Sequence, residues 1–237
     1  MLHWFARLYL WACHRLYNEF AWAYDWVSWL VSLGHWWGWR LAALDHVPPP
    51  PPFPDRGGSC PRVLEVGFGT GDLLIEMARR GWDVWGLDLS PAMQRITARK
   101  LRKRGLWVPR TRADVAAMPF PDGVFDAVVS TFPAEFILHW SALSECSRVL
   151  RPAGRLIVTG ASFVVNDPAL HRAFQWVFGP ATADQRFAWR EHITRVGLRV
   201  TVIERPGRVI SPQIIIAEKP EDERPFSITN DPNGRMI

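Results

Sequence analysis

Apolar and polar positions in this chain fall into blocks whose period changes in a regular order. Leu2, Phe5, Tyr9, Cys13, Leu16 and Phe20 recur at helical spacing, with His3, Arg7, His14, Asn18 and Asp25 on another face. Trp22, Trp26, Trp29, Trp36, Trp37 and Trp39 then crowd a second predicted helix, so residues 1–47 read as a two-helix cap. Prolines 48 to 52 and Pro54 follow. Such a run favours the polyproline II conformation, and residues 48–61 are expected to act as a stiff spacer.

Beyond the prolines the period alternates between strand and helix. Val63, Leu64 and Val66 form a short buried strand. From about Asp72 a helix carries Leu73, Leu74 and Met77, with Gly81 as its cap. A second strand runs from Asp83 to Asp88, and Ser90 with Pro91 opens the next helix. Further strands are predicted over residues 107–112, 125–130 and 155–159, with a helix at 139–150. An inserted helix at 167–178, a core helix at 184–196 and a closing antiparallel pair at 199–204 and 213–218 complete a domain over 62–219. Residues 220–237, rich in charge, proline and asparagine, read as a loose tail.

The most informative stretch joins the first strand to its helix. Gly67, Gly69 and Gly71 let the backbone turn tightly and approach a ligand closely. The helix that follows presents free N–H groups and a positive dipole end, as a nucleotide-type cofactor requires. A dinucleotide fingerprint places its third glycine one position later, where this chain has Asp72, so a nicotinamide cofactor is not expected. Asp88 ends the second strand about 20 residues on, where a carboxylate accepts from ribose hydroxyls. Asp114 follows the third strand, a place for a carboxylate to meet an adenine amino group.

With these residues the chain resembles the class I S-adenosylmethionine-dependent methyltransferases. The matching segments are Glu65-Val-Gly-Phe-Gly-Thr-Gly71, Gly86-Leu-Asp-Leu-Ser-Pro91, Asp114-Val-Ala-Ala-Met-Pro-Phe120, Asp122-Gly-Val-Phe-Asp126 and Glu145-Cys-Ser-Arg-Val-Leu-Arg-Pro-Ala-Gly-Arg-Leu156. Ala153 stands where the family usually has a second glycine. The resemblance implies a Rossmann-like three-layer α/β/α sandwich around a mostly parallel seven-stranded sheet whose last strand is antiparallel. It also implies S-adenosylmethionine as cofactor, held by Glu65, Gly67, Phe68, Gly69, Gly71, Asp88, Leu89, Asp114, Val115 and Thr131. In the cap, Tyr24-Asp25, then Ser32-Leu-Gly-His35 and Trp39-Arg40, resembles the entrance segment of the quinone-biosynthesis C-methyltransferases. That adds Tyr24 to the expected cofactor contacts. Ser28 replaces that family's asparagine, and Ser130-Thr-Phe-Pro-Ala-Glu135 departs from its sequence after the fourth strand.

Composition narrows the setting. Cys13, Cys60 and Cys146 fit neither a disulfide framework nor a zinc site, and no His/Cys cluster has metal spacing, so a reducing cytoplasm without a bound metal is expected. A net charge of +5 permits contact with anionic lipid and does not require it, and no nucleic-acid partner is expected. The tryptophan-rich cap has two readings, a lid packed over the cofactor cleft and a helix at the membrane interface. Candidate bases are Glu135, His35, His139 and His171, none of them set by a motif. The expected activity is methyl transfer to a small lipophilic acceptor. Headgroup N-methylation of phospholipids and cofactor binding without turnover are the alternatives.

Overall fold

Strand β1 (Arg62–Val66) lies at the centre of a seven-stranded sheet, paired in parallel with β2 (Asp83–Leu87) on one side and β4 (Phe125–Thr131) on the other. The order is β3-β2-β1-β4-β5-β7-β6, with β3 (Arg110–Thr111), β5 (Leu150–Val165), β6 (Arg199–Glu204) and β7 (Ile210–Glu218). Only β7 runs antiparallel to its neighbours β5 and β6. This is the mostly parallel sheet expected from the motifs. The computed structural model describes residues 24–32, 34–50, 60–132, 135–165, 168, 172, 183–204 and 210–221.

Helices cover both faces because the central strands are apolar on both sides. On one face Leu64, Val66, Val128, Leu156 and Ile215 pack with Leu143, Cys146 and Val149 of α5 (Trp140–Val149) and Ile193 of α6 (Ala183–Arg195). On the other, Val63, Ala127, Val129 and Ile157 pack with Leu73, Leu74 and Met77 of α3 (Asp72–Arg79) and Leu101 of α4 (Pro91–Lys103). Ala42, Ala43, Leu44 and Val47 join this second layer. The end of the cap is therefore core, and Trp82 Nε1 donates to the Pro48 carbonyl at 2.7 Å. Of the predicted spacer, residues 51–59 lie outside the described residues.

Three predicted elements change. The second cap helix is broken into α1 (Tyr24–Val31) and α2 (Trp36–Leu41), followed by a 3-10 turn over Ala42–His46. Gly34, at φ +82, stops α1 by returning its N–H to the Trp29 carbonyl, and the Ser32 hydroxyl accepts from Trp36 N at 3.0 Å. The third strand shrinks to two residues at the sheet edge, leaving Trp107 83% exposed. The fifth strand grows to sixteen residues because β7 pairs with it along most of its length, from Arg155↔Glu218 to Val165↔Ile210. Most of the predicted helix at 167–178, the turn at 205–209 and nearly all of the tail lie outside the described residues.

The last motif is structural. Arg148 donates to Glu145, to Asp122 and to the carbonyls of Met118 and Phe120, while Glu145 Oε2 accepts from Met118 N at 2.7 Å. These bonds hold the loop that carries Asp114 against α5. The Arg148 guanidinium keeps the Glu145 carboxyl below its ordinary pKa.

Candidate functional site

The site forms at the C-terminal ends of β1, β2 and β4, where Gly67, Gly69 and Gly71 all adopt positive φ. Gly71 cannot be replaced cheaply. A Cβ on Gly71 would lie 2.4 Å from Thr97 Cγ2, and Thr97 itself donates to the Gly69 carbonyl at 3.0 Å. Above Gly67 a Cβ would meet, among the described residues, only Phe136 Cζ, at 3.3 Å, so the turn approaches ligand space with bare backbone. Phe68 is buried beneath the turn in the core, and supports it from below.

Asp88 closes one side. Its carboxylate accepts from Gly69 N at 2.9 Å and from Ser90 N at 2.8 Å, which ties the glycine turn to the start of α4. Burial raises its pKa, and those two N–H groups oppose the rise. Leu89 projects beside it, well exposed, and Val115 is buried next to Asp114 in sequence. Asp114 is exposed and caps the 3-10 turn Val115–Ala117 by accepting from Ala116 N at 2.9 Å.

The opposite side belongs to the cap. Side chains alternate along a strand, so Glu65 shares the face of Val63 that the cap covers. There Arg40 Nη2 donates to Glu65 Oε1 at 3.2 Å and Arg40 Nε to Thr131 Oγ1 at 3.1 Å, all three residues being buried. Glu65 Oε2 is buried without a hydrogen-bond partner among the described residues. Burial is the largest influence on Glu65, and although Arg40 opposes it, the pKa rises from 4.5 to about 7. Asp25 of α1 reaches the same turn, accepting from Thr70 Oγ1 at 2.6 Å and from Lys100 Nζ at 2.7 Å.

Beyond β4 stands an aromatic wall. Phe132 takes φ +51, an uncommon conformation for an aromatic residue, and its N–H donates to the Thr159 carbonyl. Trp36 packs on its ring at 4.0 Å between centroids and Trp39 at 6.1 Å, with His35 stacked on Trp39 at 5.9 Å. Gly160 makes this fit: a Cβ there would be 2.4 Å from Phe132 Cδ1.

Thus Glu65, the three glycines, Asp88 and Thr131 converge. Tyr24 opens α1, and Glu135 opens a 3-10 turn at Glu135–Leu138, but both side chains lie outside the described residues. His139 is exposed at the start of α5, and His171 is outside the described residues. Sequence reasoning named Arg40 only as a basic residue in the cap and missed its partner. The signal was present, because a carboxylate inside a buried strand demands a cation.

The family described as "Methyltransferase domain" matches residues 64–158, the segment that builds the glycine turn, Asp88 and the aromatic wall's Phe132. Residues 64–158 are thus similar to methyltransferase domains. The chain is 40% identical over 146 residues to a demethylmenaquinone methyltransferase of Thermus thermophilus, covering 60% of this chain and 63% of that protein. It is 32% identical over 147 residues to the ubiquinone/menaquinone biosynthesis C-methyltransferase UbiE of Paraburkholderia phytofirmans, covering 60% and 57%. The match therefore spans about 60% of the length of these relatives.

Among the solved structures that share this fold are two of differing chemistry. Geranyl diphosphate C-methyltransferase from Streptomyces coelicolor A3(2) superposes with TM-score 0.56 at 16% identity, covering 76% of this chain and 78% of that one. The [4+2]-cyclase SpnF superposes with TM-score 0.56 at 22% identity, covering 70% and 76%. A cyclase on the same scaffold shows that the fold alone leaves the chemistry open.

Proposed function

We propose that this protein transfers a methyl group from S-adenosylmethionine to a small, lipophilic, quinone-like acceptor. The observation that carries the reading is the buried Glu65 Oε2, left without a partner beside Arg40 at the mouth of the glycine turn. A carboxylate and a guanidinium side by side suit an amino-acid end, the carboxylate taking an ammonium and the guanidinium a carboxylate. Asp88 would accept from the ribose hydroxyls. Leu89, Val115 and Asp114 would border the adenine, and Gly67 and Gly69 would let the backbone approach.

When bound, S-adenosylmethionine supplies an electrophilic methyl on a sulfonium. The protein's part is to align the acceptor and keep water out. Trp36, Trp39 and Phe132 offer flat apolar faces for a planar ring, consistent with the quinone substrates in the relatives' names. His35, against Trp39, is the candidate base beside this wall, since a carbon or phenol acceptor must lose a proton. Glu135 and His139 remain weaker candidates for the same role.

Labelled cofactor incubated with reduced demethylmenaquinone tests the assignment: label in the quinone fraction is expected, and none there at full cofactor binding would refute it. Label in a phospholipid fraction instead would favour headgroup N-methylation, the second reading, which the exposed basic and tryptophan-bearing surface keeps in view.

A further inference from the structure

We propose that α1 and α4 together form a docking face for an anionic lipid bilayer, which would hold the acceptor entrance against the membrane. The inference rests on the lipophilic-acceptor reading for its purpose but not for its evidence. Helix α1 leaves Trp26 64%, Trp29 57% and Leu30 50% exposed, at positions i, i+3 and i+4 of one face. Trp37, in α2, is also exposed. Two indoles and a leucine held at the surface of a short helix suit the headgroup level of a bilayer, where an aromatic ring meets lipid and its N–H meets water. The first of these is positioned by the core, because its neighbour Asp25 is pinned to Thr70 and Lys100. The second is fixed by Gly34, on which a Cβ would lie 3.3 Å from Trp29 Nε1.

Charge complementarity selects the lipid. Asp25, Thr70, Ile96, Arg99, Lys100, Arg102 and Lys103 line an open cavity of about 370 Å³ between the two helices. Lys100 is neutralised by Asp25 and Asp72. Arg99, Arg102 and Lys103 stand at helical neighbour positions with no acidic partner among the described residues. Three uncompensated cations around a cavity, next to a tryptophan face, match a phosphodiester headgroup whose acyl chains lie on the apolar side. A lid packed only on its own core would bury those indoles and would not need the cations. Among the described residues no helix is long and apolar enough to cross a membrane, so the contact would be with the surface.

The test uses the full chain with vesicles of phosphatidylglycerol and phosphatidylcholine, or of phosphatidylcholine alone, in flotation. Two variants are compared, Trp26→Ala with Trp29→Ala, and Arg99→Glu with Arg102→Glu and Lys103→Glu. Binding to the phosphatidylglycerol vesicles is expected, weakened by salt and about tenfold or more weaker in each variant. Failure to float at low salt, equal binding to both vesicle types, or full binding by both variants overturns the proposal. So does a concentration-dependent dimer that the tryptophan variant abolishes, since the face would then belong to a second copy. Calorimetry with S-adenosylmethionine on the same preparations should be unchanged in both variants. Flotation without cofactor binding would sink the proposed function while leaving the docking face intact.

Discussion

Arg40 of the cap donates to Glu65 of the central strand at 3.2 Å, and both side chains are buried. The cap thereby reaches the end of the site that carries the glycine turn. A pair of this kind is costly to break from one side, because the remaining charge is left in a low-dielectric interior. Arg40→Met should lose about 3–5 kcal/mol of stability. Arg40→Met with Glu65→Gln should recover much of it, since an amide carries no charge to strand. Denaturant titration of the single and double variants checks this, and additive losses would show that the pair is not coupled.

Cofactor affinity should rise with pH across neutrality. Burial lifts the Glu65 pKa from 4.5 to about 7, so near neutrality an appreciable fraction is protonated and unable to pair with an ammonium. Binding measured by calorimetry should strengthen between pH 6 and pH 8, and Glu65→Gln should remove that part of the slope. Stability should move the other way. A folded-state pKa above the unfolded value stabilises fully below about 4.5 and fades as pH rises through about 7.

Asp88, proposed above to hold the ribose, also holds the turn. It accepts from Gly69 N and Ser90 N, so Asp88→Ala strips both amides of their acceptor and removes the proposed ribose partner. Cofactor binding should weaken by roughly 1.5–3 kcal/mol and the fold should lose about 1–3 kcal/mol. Asp88→Asn, which keeps one acceptor oxygen, should be milder on both counts; thermal unfolding and calorimetry separate the two.

Ala153, inside β5 at a position where the resembled family usually has glycine, sits at φ +60. A Cβ in that left-handed region costs about 1–2 kcal/mol, partly offset by glycine's freedom in the unfolded chain. Ala153→Gly should therefore raise stability by about 1 kcal/mol without altering activity. A lower melting temperature would count against the strain.

Removing residues 1–47 should not leave a soluble core. Ala42, Ala43, Leu44 and Val47 are buried against the sheet, and Arg40 is needed by Glu65. The truncated chain should aggregate or unfold, as light scattering and circular dichroism would reveal. A folded, cofactor-binding fragment would restore the view of the cap as a separable lid.

Local rules make the centre of this protein legible in its sequence. Apolar runs of four to six residues, Gly67, Gly69 and Gly71, and the Ser90-Pro91 cap each act within a few residues, so β1, α3, β2 and α4 lie where the pattern places them. The glycine turn and Asp88 are legible for the same reason. Other features depend on partners far along the chain. β5 is long because β7 pairs with it, and residues 42–47 are core because the sheet's second face needs covering. The pairing of Arg40 with Glu65 spans 25 positions, and that of Arg40 with Thr131 spans 91. Strand alternation decides that Glu65 points to the cap face, but only packing decides which cation meets it there. Phe132 likewise gives no local sign of its conformation, which exists because Gly160 leaves room for the ring and Trp36 covers it.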